Sequence, residues 1–224
     1  MTVQAHAQCR QALVLGLDVS GSVDAHEYRL QLDGTAGALT SEAVQDLILA
    51  MPSAPVQIAV FEWSGPRYQV ILVPWTQLKT LQDLQKVGGQ LRQTQRRETP
   101  PATALGQAMN FGADLLATGP KCWKQTLDIS GDGKSNTGPR PRDVKTWTST
   151  QDITINGLVI GSDPQNFSDA RSVHIGELQA YYQAEVIKGP EAFIETSLGF
   201  EAFQEAMQRK LLRELEGPVL SLLD

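Results

Sequence analysis

The chain has 224 residues and a formal net charge of −6, with 41% of its residues hydrophobic and 20% charged. This length and composition suit a single soluble domain with a substantial core. A general nucleic-acid binder is more often basic, so the acidic balance argues against nucleic acid as a partner. No apolar run approaches the roughly 20 residues that a helix needs to cross a bilayer, so no membrane span is expected.

Both ends of the chain are predicted to be tails, at 1–10 and 218–224, around one domain at 11–217. The first tail contains Ala5-His6-Ala7, an A-x-A triplet of the kind that ends a secretory signal, but no apolar segment precedes it. Two interpretations stay open. The tail is the remnant of a secretion signal, or the triplet is a chance feature of an Ala-rich stretch.

The first half of the chain alternates β-rich runs with segments of helical spacing. Residues 11–17 are nearly continuously apolar, which is typical of a strand buried on both faces. The turn Ser64-Gly65-Pro66 separates two β-rich runs and predicts a hairpin at a sheet edge. The predicted elements are a strand at 11–17, helices at 24–39 and 41–51, hairpin strands at 56–63 and 68–73, and helices at 78–91 and 102–116.

The second half continues the alternation. A strand at 123–130 leads directly into Gly131-Asp132-Gly133, and 153–160 is a clear buried strand. Lys188-Gly189-Pro190 is a turn signal that ends the last predicted strand. The predicted elements are a strand at 123–130, a short helix at 141–149, a strand at 153–160, a polar loop at 161–172, a short helix at 175–182, a last strand at 184–187 and a closing helix at 200–215.

Strands that alternate with helices predict an α/β fold. We expect a doubly wound, mostly parallel sheet of six strands, with one antiparallel edge strand and helices on both faces. In such sheets ligands bind beyond the carboxyl ends of the strands. The chemistry-bearing residues are therefore sought where strands end.

The first strand ends in Asp18-Val19-Ser20-Gly21-Ser22, a D-x-S-x-S pattern. Its three side-chain oxygens suit a hard cation such as Mg²⁺ better than zinc or copper. The alternative is a turn and helix cap, because Asp, Ser and Gly favour such places. Asp132 ends the fourth strand, and if the two strands are neighbours both acids reach the same crevice. A third contributor is expected from the polar loop at 96–105.

Taken together, these residues resemble the pattern of a von Willebrand factor A domain with a metal-ion-dependent adhesion site (MIDAS). That family has D-x-S-x-S after the first strand, a Thr in a loop before the third helix, and an Asp in a D-G pair after the fourth strand. Thr99 and Asp132 fill the last two places, with Thr103 as the nearby alternative to Thr99. The resemblance covers nearly the whole chain, and 127–138 also resembles an uncharacterised bacterial branch of the family.

The resemblance implies a ligand set for the metal. Ser20, Ser22 and Thr99 bind it directly as neutral hydroxyls, whereas Asp18 and Asp132 act through coordinated waters. Mg²⁺ is the expected ion, with Mn²⁺ or Ca²⁺ as alternatives, because it keeps several waters in an octahedral site. In the family, a carboxylate from a protein partner fills the open position. Arg96 and Arg97, which share the loop of Thr99, add positive potential where an anion would arrive.

The resemblance also implies a disulfide between Cys9 and Cys122, the two cysteines of the chain. They precede the first and fourth strands, which are adjacent and parallel in the family, so both fall at the same edge of the sheet. The alternative is two buried free thiols. A disulfide would place the protein in an oxidising compartment, so we expect a periplasmic or secreted protein.

Two other patterns near Asp132 are weighed against this interpretation. Gly133-Lys134-Ser135 resembles the end of a P-loop, but that motif needs Gly at 128, where Asp128 stands. Asp128 lies within a predicted buried strand, so it must be paired or hydrogen-bonded there.

Two functions follow from the pattern. The first is a metal-dependent adhesion or scaffold module that captures a partner's Asp or Glu and is not an enzyme. The alternative is a Mg²⁺-dependent enzyme that acts on a phosphorylated substrate. An enzyme should offer a general base or nucleophile beside the metal, and only Lys134 and Glu98 are near in sequence.

Overall fold

A computed structural model of the protein describes residues 9–161 and 169–216. Six strands form one sheet in the order β3-β2-β1-β4-β5-β6, and the pairing is parallel except between β2 and β3. The strands are β1 (Gln11–Asp18), β2 (Val56–Trp63), β3 (Gln69–Leu78), β4 (Lys124–Gly131), β5 (Thr154–Ile160) and β6 (Ile194–Ser197). The predicted fold class, with its antiparallel edge strand, is confirmed.

Helices cover both faces of the sheet. They are α1 (Ala25–Leu39), α2 (Glu42–Leu49), α3 (Leu81–Gln93), α4 (Leu105–Thr118), α5 (Pro141–Val144), α6 (Asp169–Tyr181) and α7 (Phe203–Leu215), with a π-helical turn at Tyr182–Val186. Side chains alternate across β1, so Leu13 and Leu15 pack in one core with α1, α3 and α7, whereas Val14 packs in the other with α4. None of the helices in the described part of the chain has the length and apolar character that a membrane crossing requires.

The helix α1 begins directly after the D-x-S-x-S motif. Asp24 is its N-cap, and its carboxylate accepts hydrogen bonds from the backbone N–H groups of His26 and Glu27. The Glu27 side chain accepts in return from the Asp24 N–H at 2.7 Å, which completes a capping box. The cap fixes the point at which the loop that carries the D-x-S-x-S motif, at 18–24 and called the motif loop below, becomes α1.

The end of the predicted order is wrong in one place. Residues 184–187 are not the last strand, because 182–186 form the π-helical turn and the Ile187 N–H donates to the Tyr182 carbonyl. The last strand is β6, which follows the turn at Gly189, where φ is +101°. The β-branched residues of 184–187 favoured a strand, but helical hydrogen bonds continued from α6 take up this segment.

The helix predicted at 175–182 is longer than expected. It begins at Asp169, inside the stretch predicted as a polar loop at 161–172. Of that predicted loop, 162–168 lie outside the described residues, as do the tails except for Cys9 and Arg10, which are buried. The domain bounds at 11–217 stay a prediction.

A disulfide joins Cys9 to Cys122 at the edge of the sheet opposite the motif, with the two Cα atoms 4.7 Å apart. The strands bring the cysteines together, because β1 and β4 pair in parallel from Gln11 opposite Lys124 onward. The Trp123 N–H also donates to the Cys9 carbonyl at 3.0 Å, so the backbone ladder extends to the disulfide.

A buried group of charges connects β4 to α7. The Lys210 ammonium lies 2.7 Å from an oxygen of Asp128 and 3.0 Å from one of Glu214, and all three side chains are almost fully buried. Asn156 donates to Glu214 at 2.6 Å from the neighbouring strand. Two carboxylates thus share one cation, which satisfies the expectation that Asp128 must be paired.

Replacing both cysteines with alanine should lower the free energy of unfolding by about 4–5 kcal/mol in the chain-entropy model, because the disulfide closes a long loop. Urea unfolding of the oxidised protein and of the double variant measures the difference. Adding a reductant should destabilise the wild type and leave the double variant unchanged. Equal stability of the two proteins would contradict the expectation.

Asp128→Asn should flatten the pH dependence of stability. Burial, followed by the charge of Glu214, raises the pKa of Asp128 to about 8. The folded protein therefore holds this proton more tightly than the unfolded chain, and the stabilisation, fully present below about pH 4, is lost as the pH rises to about 8. Urea unfolding across this range should show a smaller fall for Asp128→Asn than for the wild type. The exposed Asp114→Asn should follow the wild type, and parallel curves for all three proteins would refute the assignment.

Candidate metal centre

Two adjacent parallel strands bring the predicted acids to one edge of the sheet. Asp18 is the last residue of β1, Asp132 directly follows β4, and the two strands are paired. Ser22 joins their loops, because its hydroxyl donates to Asp132 Oδ1 at 2.8 Å. The expectation that both acids reach the same crevice therefore holds in the structure.

The motif loop is folded around Asp18. The Ser20 N–H donates to Asp18 Oδ1 at 2.8 Å, and the Ser20 hydroxyl lies 3.4 Å from that of Ser22. Asp18 and Ser20 are fully buried, whereas Ser22 is exposed. The four oxygen-bearing side chains Asp18, Ser20, Ser22 and Asp132 thus form one connected group that opens to solvent at Ser22.

The loop that carries Thr99 packs on the motif loop. The Thr99 hydroxyl donates to the Val19 carbonyl at 2.9 Å, and the Gly21 N–H donates to the Pro101 carbonyl at 3.1 Å. A Cβ at Gly21 would lie 2.8 Å from Pro101 Cβ, so only glycine permits this approach.

Thr103, the alternative to Thr99, lies where the chain enters α4. Its backbone N–H donates to the Asn136 side chain at 3.0 Å, and its carbonyl accepts from the Asn136 N–H at 2.9 Å. Thr103 thus holds the loop that follows Asp132 through its backbone. Thr99 is the threonine whose hydroxyl contacts the motif loop.

The electrostatics of this group are unfavourable without a cation. Burial, and then the charge of Asp132, raise the pKa of Asp18 to about 8. Burial also raises the pKa of Asp132, and the hydrogen bond from Ser22 opposes that rise. Asp18 Oδ2 is buried and has no hydrogen-bond partner among the described residues. A bound cation would neutralise both carboxylates, so the residues fit the metal that the family implies.

The donor set is made of oxygen atoms. Within 9–161 and 169–216 no group of three or more His, Cys, Asp or Glu side chains is placed to hold a metal ion. A centre here therefore depends on the serine and threonine hydroxyls as well as the two carboxylates. Such a set favours a hard cation.

Arg96 acts on the motif loop in a way that the sequence did not indicate. Its guanidinium donates to the carbonyls of Val23 and Asp24 and lies 5.5 Å from the centre of the Tyr28 ring. It therefore fastens the loop of Thr99 to the start of α1. Arg97 is exposed.

Three residues that the sequence prediction missed lie behind Asp18. The Gln31 amide donates to the Asp18 carbonyl at 2.9 Å, and the Ser130 hydroxyl donates to Gln31 Oε1 at 3.1 Å. Tyr182 is fully buried against the same region, and burial, then the charges of Asp18 and Asp132, hold its pKa well above the ordinary value. The sequence could have pointed to Gln31, because it is a polar residue next to Leu32 in the apolar stripe of α1.

The family model described as "Protein of unknown function (DUF1194)" matches residues 8–219. The chain belongs to the DUF1194 family. Among curated proteins none matches it.

Solved structures show which fold this DUF1194 chain has. The protein PTMP1 from the mussel byssus, with a zinc-occupied MIDAS motif, is 14% identical with a TM-score of 0.56, over 93% of this chain and 46% of that one. The von Willebrand factor type A protein from Catenulispora acidiphila is 13% identical with a TM-score of 0.54, over 92% and 43%. The pilus adhesin SpaC from Lactobacillus rhamnosus GG is 14% identical with a TM-score of 0.62, over 94% and 31%.

The DUF1194 chain spans less than half the length of each of these three proteins. At such low identity the likeness shows the fold alone, and that fold is the von Willebrand factor A type. The resemblance found in the sequence is therefore confirmed at the level of fold. The metal-binding roles of Asp18, Ser20, Ser22, Thr99 and Asp132 stay a prediction.

Asp132→Asn should abolish binding of Mg²⁺ while raising or preserving the melting temperature of the metal-free protein. The reason is that the change removes a charge that repels Asp18 as well as a ligand of the ion. Calorimetry measures the affinity, and thermal unfolding in a chelator measures the stability. The exposed Asp46→Asn, on α2, should change neither quantity, and unchanged Mg²⁺ affinity in Asp132→Asn would rule out the site.

Proposed function

We propose that this DUF1194 protein is a metal-dependent protein-binding module of the adhesion or scaffold type, which captures a carboxylate of a protein partner. Asp18, Ser20, Ser22, Thr99 and Asp132 would hold the ion, which we expect to be Mg²⁺, with Mn²⁺ or Ca²⁺ as alternatives. When bound, the ion supplies an electrophilic position that an Asp or Glu side chain of the partner can fill. The observation that carries the proposal is the buried Asp18, whose second oxygen lacks a partner among the described residues beside the charge of Asp132.

The depth of the residues supports an open site. Asp18 and Ser20 are buried beneath the surface, whereas Ser22 is exposed and Asp132 half-buried. Because the proposed direct ligands Ser20, Ser22 and Thr99 are neutral hydroxyls, the ion would keep positive potential on the side that faces solvent. Without the ion, a partner's carboxylate would face Asp18 and Asp132 and be repelled, so binding would depend on the metal.

Among the described residues, the surface beside the site has room for a partner. A cleft of about 370 Å³ opens next to Asp132, between the loop after β4 and α6. Its lining includes Ile160, Ile175, Leu178 and Lys134. A peptide segment that presents a carboxylate to the metal can therefore place neighbouring side chains in contact with the protein.

The comparisons support this function but do not identify the partner of this chain. SpaC is described as a pilus adhesin, and the PTMP1 structure has zinc in a MIDAS motif. The disulfide between Cys9 and Cys122 supports a location in an oxidising compartment, so we propose a periplasmic or secreted protein.

The enzyme alternative has weaker support in the structure. Lys134, which is near Asp132 in sequence and could serve as an acid or a phosphate ligand, forms an ion pair with Glu177 at 3.4 Å. Glu98 is exposed on the loop of Thr99. Neither side chain contacts the group formed by Asp18 and Asp132 through a hydrogen bond in the described structure. Hydrolysis of p-nitrophenyl phosphate that requires Mg²⁺ and Asp132 would favour the enzyme instead.

Peptides selected from a displayed random library on the immobilised protein in Mg²⁺, and released by a chelator, should contain an essential acid. Changing that Asp to Asn, or Glu to Gln, should weaken binding at least about tenfold, because the acid contributes a charge-assisted contact with the ion. Titration of the synthetic peptides measures the loss.

The Asp132→Asn protein is the matched control and should retain none of these peptides. Binding that survives the chelator, or that is indifferent to every acid in the peptides, would exclude the proposed metal–carboxylate contact.

A further inference from the structure

Tyr182 occupies a slot made by two strand glycines. It is fully buried at the first position of the π-helical turn. A Cβ at Gly157 of β5 would lie 2.6 Å from ring atom Cδ1 of Tyr182, and a Cβ at Gly131 of β4 would lie 2.6 Å from its hydroxyl oxygen. Side chains at either position would exclude the ring, so both glycines serve the approach of this one tyrosine.

The slot leads to Asp18. The same Cβ position at Gly131 lies 3.0 Å from Asp18 Oδ2, so the hydroxyl and the carboxylate oxygen face one small space. Both atoms are buried, and neither has a hydrogen-bond partner among the described residues. Buried polar atoms without partners are costly, and each one in a native structure calls for an explanation, such as a bound ion. Trp63 also carries an unpartnered indole N–H, but the atom it brings toward Gly131 is ring carbon Cζ2, at 3.6 Å.

We propose that Tyr182 is a positioning residue of the metal centre, whose hydroxyl donates a hydrogen bond to Asp18 Oδ2 when the metal is bound. The inference rests on the metal site of the proposed function and deepens it. A neutral phenol has one proton to donate and an ionised carboxylate can only accept, so the two groups are complementary. Asp18 Oδ1 already accepts from the Ser20 N–H at 2.8 Å, so Tyr182 would hold the carboxylate from its other oxygen.

A π-helical turn begins at this tyrosine. Such turns are frequent at functional sites. Here the turn follows α6 directly, and the Ile187 N–H closes it on the Tyr182 carbonyl at 3.0 Å. The tyrosine is therefore fixed at its backbone as well as by the slot.

Tyr182→Phe keeps the ring and removes only the hydroxyl, so it should fold. We expect about a tenfold loss of Mg²⁺ affinity, within the range seen when outer-shell partners of metal ligands are removed. The melting temperature in a chelator should be unchanged or higher, because the hydroxyl lacks a partner among the described residues. A purely structural role would instead lower that temperature.

Tyr28→Phe is the matched control. Its hydroxyl is also in the interior and also serves a carboxylate, but it donates to Glu62 at 2.8 Å and not to a proposed ligand, and the change to Phe keeps the ring that contacts Arg96. It should lose stability in the chelator and keep the Mg²⁺ affinity of the wild type. The ultraviolet difference spectrum on adding Mg²⁺ should contain a tyrosine signal in the wild type and in Tyr28→Phe that is absent in Tyr182→Phe.

The outcomes separate the two proposals. If the wild type binds Mg²⁺ and Tyr182→Phe binds it equally well, the role of Tyr182 is wrong and the metal centre stands. If Tyr182→Phe loses affinity only together with stability in the chelator, the role is structural and the inference is also wrong. If the wild type binds no Mg²⁺, Mn²⁺ or Ca²⁺, both proposals fail.

Discussion

The carboxylates of Asp18 and Asp132 are held at the same edge of the sheet by β1 and β4, which pair in parallel. Repulsion between them, in a place where Asp18 is removed from water, is the constraint around which this end of the molecule is built. The protein lowers part of the cost with the Ser20 N–H and the Ser22 hydroxyl. The remainder calls for positive charge, which no described side chain delivers to Asp18 through a hydrogen bond or ion pair.

Two acids on or directly after one strand have their negative charge stabilised in two different ways. Asp128 lies within β4 and is buried, whereas Asp132 directly follows β4 and is half-buried. Asp128 meets Lys210 from α7, a cation that the chain itself supplies. Asp132 accepts a hydrogen bond from one neutral hydroxyl, that of Ser22, and lies at an opening to solvent. A cation buried between two carboxyl groups of the same chain makes a fixed joint, whereas an acid left without a cation at the surface makes a place for an exchangeable one.

Much of the architecture could be predicted from the sequence, because apolar runs at 11–17 and 153–160 and turn signals between them are local properties. Parallel pairing then predicted that β1 and β4 end side by side, so Asp18 and Asp132 could be assigned to one site from the sequence. The last strand could not be predicted, since Ile194–Ser197 is short and mostly polar while 184–187 has the composition of a strand. The slot of Tyr182 was also out of reach, because it depends on a π-helical turn and on two glycines whose meeting is a product of the tertiary fold.

The disulfide has a mechanical consequence. Cys9 and Cys122 lie where β1 and β4 begin, at the edge opposite the two acids. Tension applied to the chain ahead of Cys9 is transmitted through a covalent bond into β4 as well as β1. Peeling β1 away from the sheet, which would break its hydrogen bonds one at a time, is thereby blocked at its first step. The loops at the far ends of these two strands would therefore stay in register under a load that would otherwise separate them.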